Sequence, residues 1–423
     1  MLAWGAVAVA ALALAAAALP AAAGAQSPSP AARLDAALNA GMHALGDASG
    51  ALVVDLNTGQ TLYADAAVRP RLPASVEKLY TTSTALLRFG PAARLTTALY
   101  GSGWRGGRGV WWGTLYLKGG GDPTFGSAGF DRAAYGTGAT VQRLVANLIA
   151  RQRITGVRGR VIGDESYFDS LRGTPATGYA TDLPDVEGEL SALAYDRGFA
   201  DFAGTIPQAQ PALYAAQQLV AALRGARLAL PRRTPTTTGT TPPTARWLAG
   251  VQSPPMATLI QLTNTPSDNY LAEMLLKDLG ARFGGAGTTA AGVAVVRAEL
   301  QTQFGITPQF NDGSGLSRAD QTSPQQVVTL LEHMAANPYF FNSLAVGGET
   351  GTLQHEMVGT PAQGACHAKT GTLHDVATLA GYCRARDGHE LAFAFLANGL
   401  SNPDYAHSVE GNRMAVALAN YDG

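Results

Sequence analysis

Sheet-forming sequence lies at the two ends of this chain and helical sequence between them, so a single core requires the ends to meet. Near the start, Ala51 to Asp55 and Gln60 to Tyr63 are β-prone runs around the turn residues Asn57-Thr58-Gly59, the pattern of a hairpin. Near the finish, Ala365 to Lys369, Val376 to Arg384 and Glu390 to Asn398 read as three more strands. Helical periodicity runs over Ala31 to Leu45, with Leu34, Ala37, Leu38 and Met42 on one face. It returns from about Ser75 to Phe89, with Val76, Leu79, Tyr80, Ser83 and Leu86/Leu87 inward and Gly90-Pro91 as the stop. Asp268 to Arg282, Ala290 to Phe304 and Ser323 to Asn337 are further helices, the last capped by Ser323 with Pro324 in its first turn. The expected architecture is an α/β (α+β) sandwich whose sheet pairs N- and C-terminal segments.

The middle of the chain has another texture. From about Tyr100 to Gly250, Gly-rich turns separate short strands (Val110 to Lys118, Val157 to Gly163) and a helix from Thr140 to Gln152. Arg232 to Pro243 is Thr/Pro-rich and reads as an exposed connector. With 423 residues the chain exceeds one ordinary core, so residues 100–250 are read as an inserted β-rich lobe. Residues 26–99 and 251–423 then form the main domain. Only about fifty-five residues separate Asp196-Arg197-Gly198 from Pro254.

Leu2 to Ala23 is an uncharged Ala/Leu/Val run followed by Ala23-Gly24-Ala25, which fits a signal-peptidase site and export. No Lys or Arg precedes Arg33, so retention of the segment as an anchor stands as the alternative; membrane contact is expected through it alone. The formal net charge is −1 and no basic run exceeds two residues, which argues against nucleic acid or an anionic membrane surface as the main partner. Among seven histidines there is no His-Glu-x-x-His and no Cys/His ligand spacing, so neither a metal nor a cofactor is expected. The nearest approach to a nucleophile elbow, Gly315-Leu316-Ser317-Arg318-Ala319, lacks the last glycine and the preceding strand.

Three short motifs carry chemistry. Ser75-Val76-Glu77-Lys78 places a hydroxyl and an amine three residues apart at a helix start, where they are neighbours. A serine hydroxyl needs a base, and a lysine of lowered pKa can supply one where arginine cannot. Ser267-Asp268-Asn269 opens a helix after Pro266, and helix capping is its plainer reading. Lys369-Thr370-Gly371-Thr372 closes a strand; a glycine there lets a docking peptide approach, and a cation beside it suits a carboxylate. The chain has four lysines among 30 basic residues, and two of the four fall in these motifs.

These motifs in this order, nearly two hundred residues apart between first and second, resemble the penicillin-binding and β-lactamase superfamily. Within it the chain resembles the D-alanyl-D-alanine carboxypeptidase/endopeptidases of low-molecular-mass class C, the S13 peptidases. Gly120-Gly121-Asp122-Pro123-Thr124, Asn311 to Arg318 and Gly351-Thr352-Leu353 extend the likeness over most of residues 45–400. The resemblance implies a central antiparallel sheet flanked by helices, and action on peptidoglycan peptides and β-lactam antibiotics in an extracytoplasmic space; the short stretch from Gly198 to Pro254 departs from it, since the extra small subdomain that members often carry there is reduced or absent. It implies Ser75 as nucleophile, Lys78 as base, and Ser267 and Lys369 as a proton relay. Asn269 would hold a substrate amide, and Lys369, Thr370 and Thr372 around Gly371 the terminal carboxylate. The N–H groups of Ser75 and Thr372 would form an oxyanion hole. Arg318 and Asp185, with Asp182 as the alternative acid, would receive a diamino-acid side chain.

If Lys369 and Ala380 face each other across a hairpin, Cys366 and Cys383 come opposite and can form a disulfide; two buried thiols are the alternative. A serine β-lactamase or esterase on the same fold shares the motifs, but no separate carboxylate motif for activating water is visible. A non-catalytic peptidoglycan-binding protein would be expected to lack Ser75 or Lys78.

Overall fold

The computed structural model describes residues 1–5 and 28–423, so the expected signal segment, residues 1–25, lies almost wholly outside the described residues. The main sheet has six strands in the order Ala345–Val346, Cys366–Leu373, Val376–Arg384, Glu390–Asn398, Gly50–Asp55 and Thr61–Asp65, every neighbouring pair antiparallel. Gly50–Asp55 lies inside the sheet beside Glu390–Asn398, with Ala51 facing Phe395. All six of its residues are buried, because helices cover both faces and the strand needs a continuous apolar run. Alternation sorts the layers. Leu52, Val54, Ala392 and Ala394 pack on the helices Lys78–Phe89, Asn269–Phe283 and Pro324–Met334. Ala51, Val53, Phe393 and Phe395 pack on the terminal helices Pro30–Leu45 and Asn412–Ala419.

Local expectations hold with some shifts. In the Pro30–Leu45 helix the buried stripe is Leu34, Leu38, Gly41, Met42 and Leu45, while Ala37 is exposed. Leu86 is buried but Leu87 is 40% exposed, so the inward face of that helix excludes it. Ala74–Glu77 is a 3₁₀ turn and the α-helix proper starts at Lys78.

A second sheet, spanning Thr96 to Gln252, runs Arg246–Gln252, Thr96–Arg105, Val110–Lys118, Val161–Asp164, Thr236–Thr238. The expected strand from Val157 to Gly163 is two pieces, Gly156–Arg158 and Val161–Asp164, both parallel to Val110–Lys118. Helices Val141–Gln152 and Pro211–Gly225 close a separate core around Leu99, Trp111, Leu115 and Leu219. The Thr/Pro-rich connector is more than a connector. Thr236–Thr238 pairs in parallel with Val161–Gly163, so its backbone is ordered although Thr237 and Thr238 are exposed. Among the described residues no helix is long and apolar enough to cross a membrane.

Candidate active site

Ser75 sits in the 3₁₀ turn and Lys78 one turn on, at the head of the helix. Lys78 is fully buried, and its Nζ donates to Ser75 Oγ at 2.8 Å, Asn269 Oδ1 at 2.5 Å and the Ser314 carbonyl at 2.8 Å. Three acceptors use all three protons of an ammonium. A neutral amine keeps two of these bonds and offers its lone pair to the third. The Ser75 contact can then reverse, with the hydroxyl donating to Nζ. Burial pushes the Lys78 pKa down to about 8, against the opposing pull of Asp312 and Glu273.

The loop that supplies the Ser314 carbonyl is pinned by Asp312, whose two oxygens accept from the N–H groups of Gly315 and Ser317, each at 2.8 Å. Gly315 has φ +82°, and a Cβ there would stand 1.9 Å from the Ala74 carbonyl. Ala74 itself is at φ +47°, outside ordinary helical space for an L-residue. The turn before Ser75 and the loop over Lys78 thus lock together, and only glycine fits the contact.

Asn269 links the Leu183–Val186 segment to Lys78: its Nδ2 donates to the Asp185 carbonyl at 2.6 Å while Oδ1 holds Lys78. The capping role belongs to Asp268, which accepts from Leu271 N at 2.8 Å. Ser267, beside it, is at φ +69°. Asp268 also receives both terminal nitrogens of Arg197, at 2.5 and 3.0 Å. The middle motif therefore divides between structure (Asp268) and site (Asn269).

Lys369 does not end its strand. Cys366–Leu373 continues past it, with Lys369 opposite Ala380 and Cys366 opposite Cys383, and the two cysteines form a buried disulfide. Ala345–Val346 pairs only with His367 and Ala368, so among the described strands none covers the outer edge from Lys369 to Leu373. Lys369 is fully buried and donates to the Thr370 carbonyl at 2.8 Å. Burial, and then the charge of Lys78, hold its pKa well below the ordinary lysine value. Gly371 is needed for packing within the protein: a Cβ would be 2.3 Å from Thr378 Oγ1 and 2.8 Å from Ser75 N. That is a different reason from the peptide approach expected of it.

A cleft of about 740 Å³ runs alongside, lined by Asp185, Asn269, Leu316, Arg318, Thr372 and His374 among others. Asp185 lies on its wall, whereas the Asp182 carboxylate caps the short Leu183–Val186 helix, which separates the two candidate acids. Arg318 reaches the cleft but is engaged by both carboxylate oxygens of Asp375. Thr370 Oγ1 bonds Thr352 Oγ1 at 2.8 Å, and Thr372 Oγ1 lies 2.8 Å from His407 Nε2.

A hydroxyl hydrogen-bonded to a fully buried amine of depressed pKa, with a second buried amine on a strand edge, is what a lysine-assisted serine nucleophile for acyl transfer requires. The chain belongs to the D-Ala-D-Ala carboxypeptidase 3 (S13) family, which it matches over residues 31–185 and 192–421. It is 29% identical to a D-alanyl-D-alanine carboxypeptidase of Actinomadura sp. (strain R39) over 89% of this chain and 82% of that one. It is also 29% identical to carboxypeptidase DacB of Mycolicibacterium smegmatis, over 82% and 75%. The fold is that of penicillin binding protein 4 from Haemophilus influenzae, with a TM-score of 0.71 at 21% identity over 90% of this chain and 98% of that one. A predatory peptidoglycan endopeptidase from Bdellovibrio bacteriovorus aligns with a TM-score of 0.52 at 20% identity, over 82% and 85%.

Sequence reasoning did not single out Arg197, Asp375 or His407. Arg197 stood in a recognisable tripeptide without a partner to give it meaning. His407 lies in a C-terminal stretch with no motif, and only the tertiary fold brings it to Thr372.

Proposed function

We propose that this protein is a serine-type D-alanyl-D-alanine carboxypeptidase and DD-endopeptidase acting on peptidoglycan peptides and acylated by β-lactams. The observation that carries the reading is the 2.8 Å contact from Lys78 Nζ to Ser75 Oγ, held in place by Asn269 and the Ser314 carbonyl. Ser75 Oγ attacks the carbonyl carbon of the penultimate D-alanine while its proton passes to neutral Lys78. The C–N bond then breaks, and the proton reaches the leaving amine through Ser267 and Lys369. Terminal D-alanine, or in a crosslink the diamino acid, departs and leaves a Ser75 ester, which water hydrolyses to restore the hydroxyl. Lys369, Thr370 and Thr372 hold the terminal carboxylate, and Asn269 a substrate amide. Asp185 and the Asp375-paired Arg318 line the part of the cleft that receives the donor side chain. The N-terminal segment directs export, and residues 100–250 form an inserted lobe whose Asp185 wall faces residues 251–423.

The test is intact-mass spectrometry of the purified protein over time with benzylpenicillin, beside a Ser75→Ala control. A long-lived adduct on Ser75, absent from the control, is expected. An adduct that clears within seconds with penicillin hydrolysed would make the protein a β-lactamase, and no adduct with intact penicillin would overturn the assignment.

A further inference from the structure

Thr372 has a partner that the reaction as written does not use. His407 lies in a π-helical turn, Ala406–Gly411, between Pro403–Tyr405 and the last helix. Such turns are rare and concentrate at functional positions. The His407 Nε2 is 2.8 Å from Thr372 Oγ1 and 3.0 Å from the Gly371 carbonyl oxygen. A carbonyl oxygen only accepts, so Nε2 carries the proton and the ring presents N–H to both atoms. Burial holds the imidazole pKa below its ordinary value, which favours the neutral ring with its single N–H on this side.

The consequence falls on Thr372. Its oxygen receives the shared Nε2–H, so its own hydroxyl proton is left to donate elsewhere. Thr372 stands at a partition, lining both the 740 Å³ cleft with Asn269 and Asp185 and a separate 360 Å³ chamber with His407 and Glu356. With the histidine on the chamber side, the free donor direction is the cleft side.

Resting on the peptidase reading above, we propose that His407 is a positioning residue for recognition of the substrate carboxylate. It holds Thr372 Oγ1 as an acceptor, so that the Thr372 hydroxyl proton is presented to the C-terminal carboxylate of the peptide. His407 touches neither the scissile bond nor the nucleophile. Its removal therefore acts on binding of the carboxylate rather than on acyl transfer.

The experiment compares His407→Leu, which removes the donor, with His407→Gln, whose side-chain amide restores an N–H near the Nε2 position. Each is assayed on a peptide ending in D-Ala-D-Ala and on the same peptide with a C-terminal carboxamide, with melting temperature as the control for folding and benzylpenicillin acylation of the wild-type protein as the check on Ser75. For His407→Leu, KM for the free-acid peptide is expected to rise about 10- to 100-fold, the worth of one hydrogen bond to a charged group. The kcat for that peptide and the kinetics on the carboxamide should stay near wild type, and His407→Gln should recover most of the loss. Equal losses on both peptides, no change on either, or a His407→Gln variant as impaired as His407→Leu would overturn the assignment. Wild-type protein that cleaves neither peptide and is not acylated at Ser75 would overturn the peptidase reading first, and this assignment with it.

Discussion

The segment around Arg197 is tied to the helix carrying Asn269 by a pair whose removal has a calculable cost. Arg197, itself at φ +59°, donates through both terminal nitrogens to Asp268, through Nε to the Glu187 carbonyl at 2.9 Å, and lies 4.8 Å over the Tyr270 ring. The two charged side chains are 10% and 11% exposed. At that burial a lone survivor cannot recover its hydration, and breaking such a pair from one side costs about 3–5 kcal/mol. Arg197→Met keeps an apolar stem against Tyr270 and orphans Asp268; Asp268→Asn keeps a capping side chain and leaves Arg197 only the half-exposed Glu187 carboxylate at 3.5 Å. Each single variant should lose about 3–5 kcal/mol in urea denaturation, a large part of the 5–15 kcal/mol typical of a folded protein. The double variant removes both charges together and should fall short of additivity by about 1–3 kcal/mol. Benzylpenicillin acylation of the single variants at low urea should also slow, because the Asn269 Nδ2 bond to the Asp185 carbonyl loses its frame. Costs below about 1 kcal/mol, the scale of an exposed pair, or strictly additive losses, would refute the idea that this pair holds the two segments in register.

Two further outcomes follow from the site. With Lys78 as the proposed base, acylation requires its neutral form, so kcat/KM should climb about tenfold per pH unit on the acid side and level off near the Lys78 pKa of about 8; a profile flat from pH 6 to 9 would remove Lys78 as the base. Gly371→Ala should depress Ser75 acylation by at least about 100-fold, a displacement of the order that costs such a factor, because its Cβ would meet Ser75 N at 2.8 Å. A variant acylated at the wild-type rate would show that the strand yields without moving the nucleophile.

Periodicity placed the elements whose burial is regular but passed over Thr96–Arg105, Pro211–Gly225, Arg246–Gln252, Met256–Asn264 and Asn412–Ala419, and of the motif residues Ser75, Lys78 and Asn269 are joined by hydrogen bonds. What periodicity missed has physical reasons. Thr236–Thr238 is an edge strand held by backbone bonds, and its exposed threonines and neighbouring prolines conceal that. Ala37 and Leu87 are exposed at the margin of a helical stripe, where periodicity alone does not decide burial. The Lys78 environment depends on Ser314 through its backbone carbonyl, which no residue type advertises. Arg197 with Asp268 and His407 with Thr372 are contacts across 71 and 35 positions, set by how layers meet. The disulfide was accessible because it depends only on the register of one hairpin.

The placement of Gly50–Asp55 beside Glu390–Asn398 bears on how the molecule comes into being. A chain emerging from its N-terminus presents Ser75 and Lys78 long before Asn269, Ser314 and Lys369 exist to meet them. Until then the strand that carries the apolar heart of the sheet has only the neighbouring Thr61–Asp65 hairpin partner. The second sheet, contiguous from Thr96 to Gln252, can close first. The proposed nucleophile, Ser75, must wait for a closure over more than three hundred residues, an entropic cost that makes such topologies slow to fold. An unfinished chain is thereby an inert one: the hydrolase switches on only when its last strands dock, which keeps a wall-cutting activity from appearing before the molecule is whole.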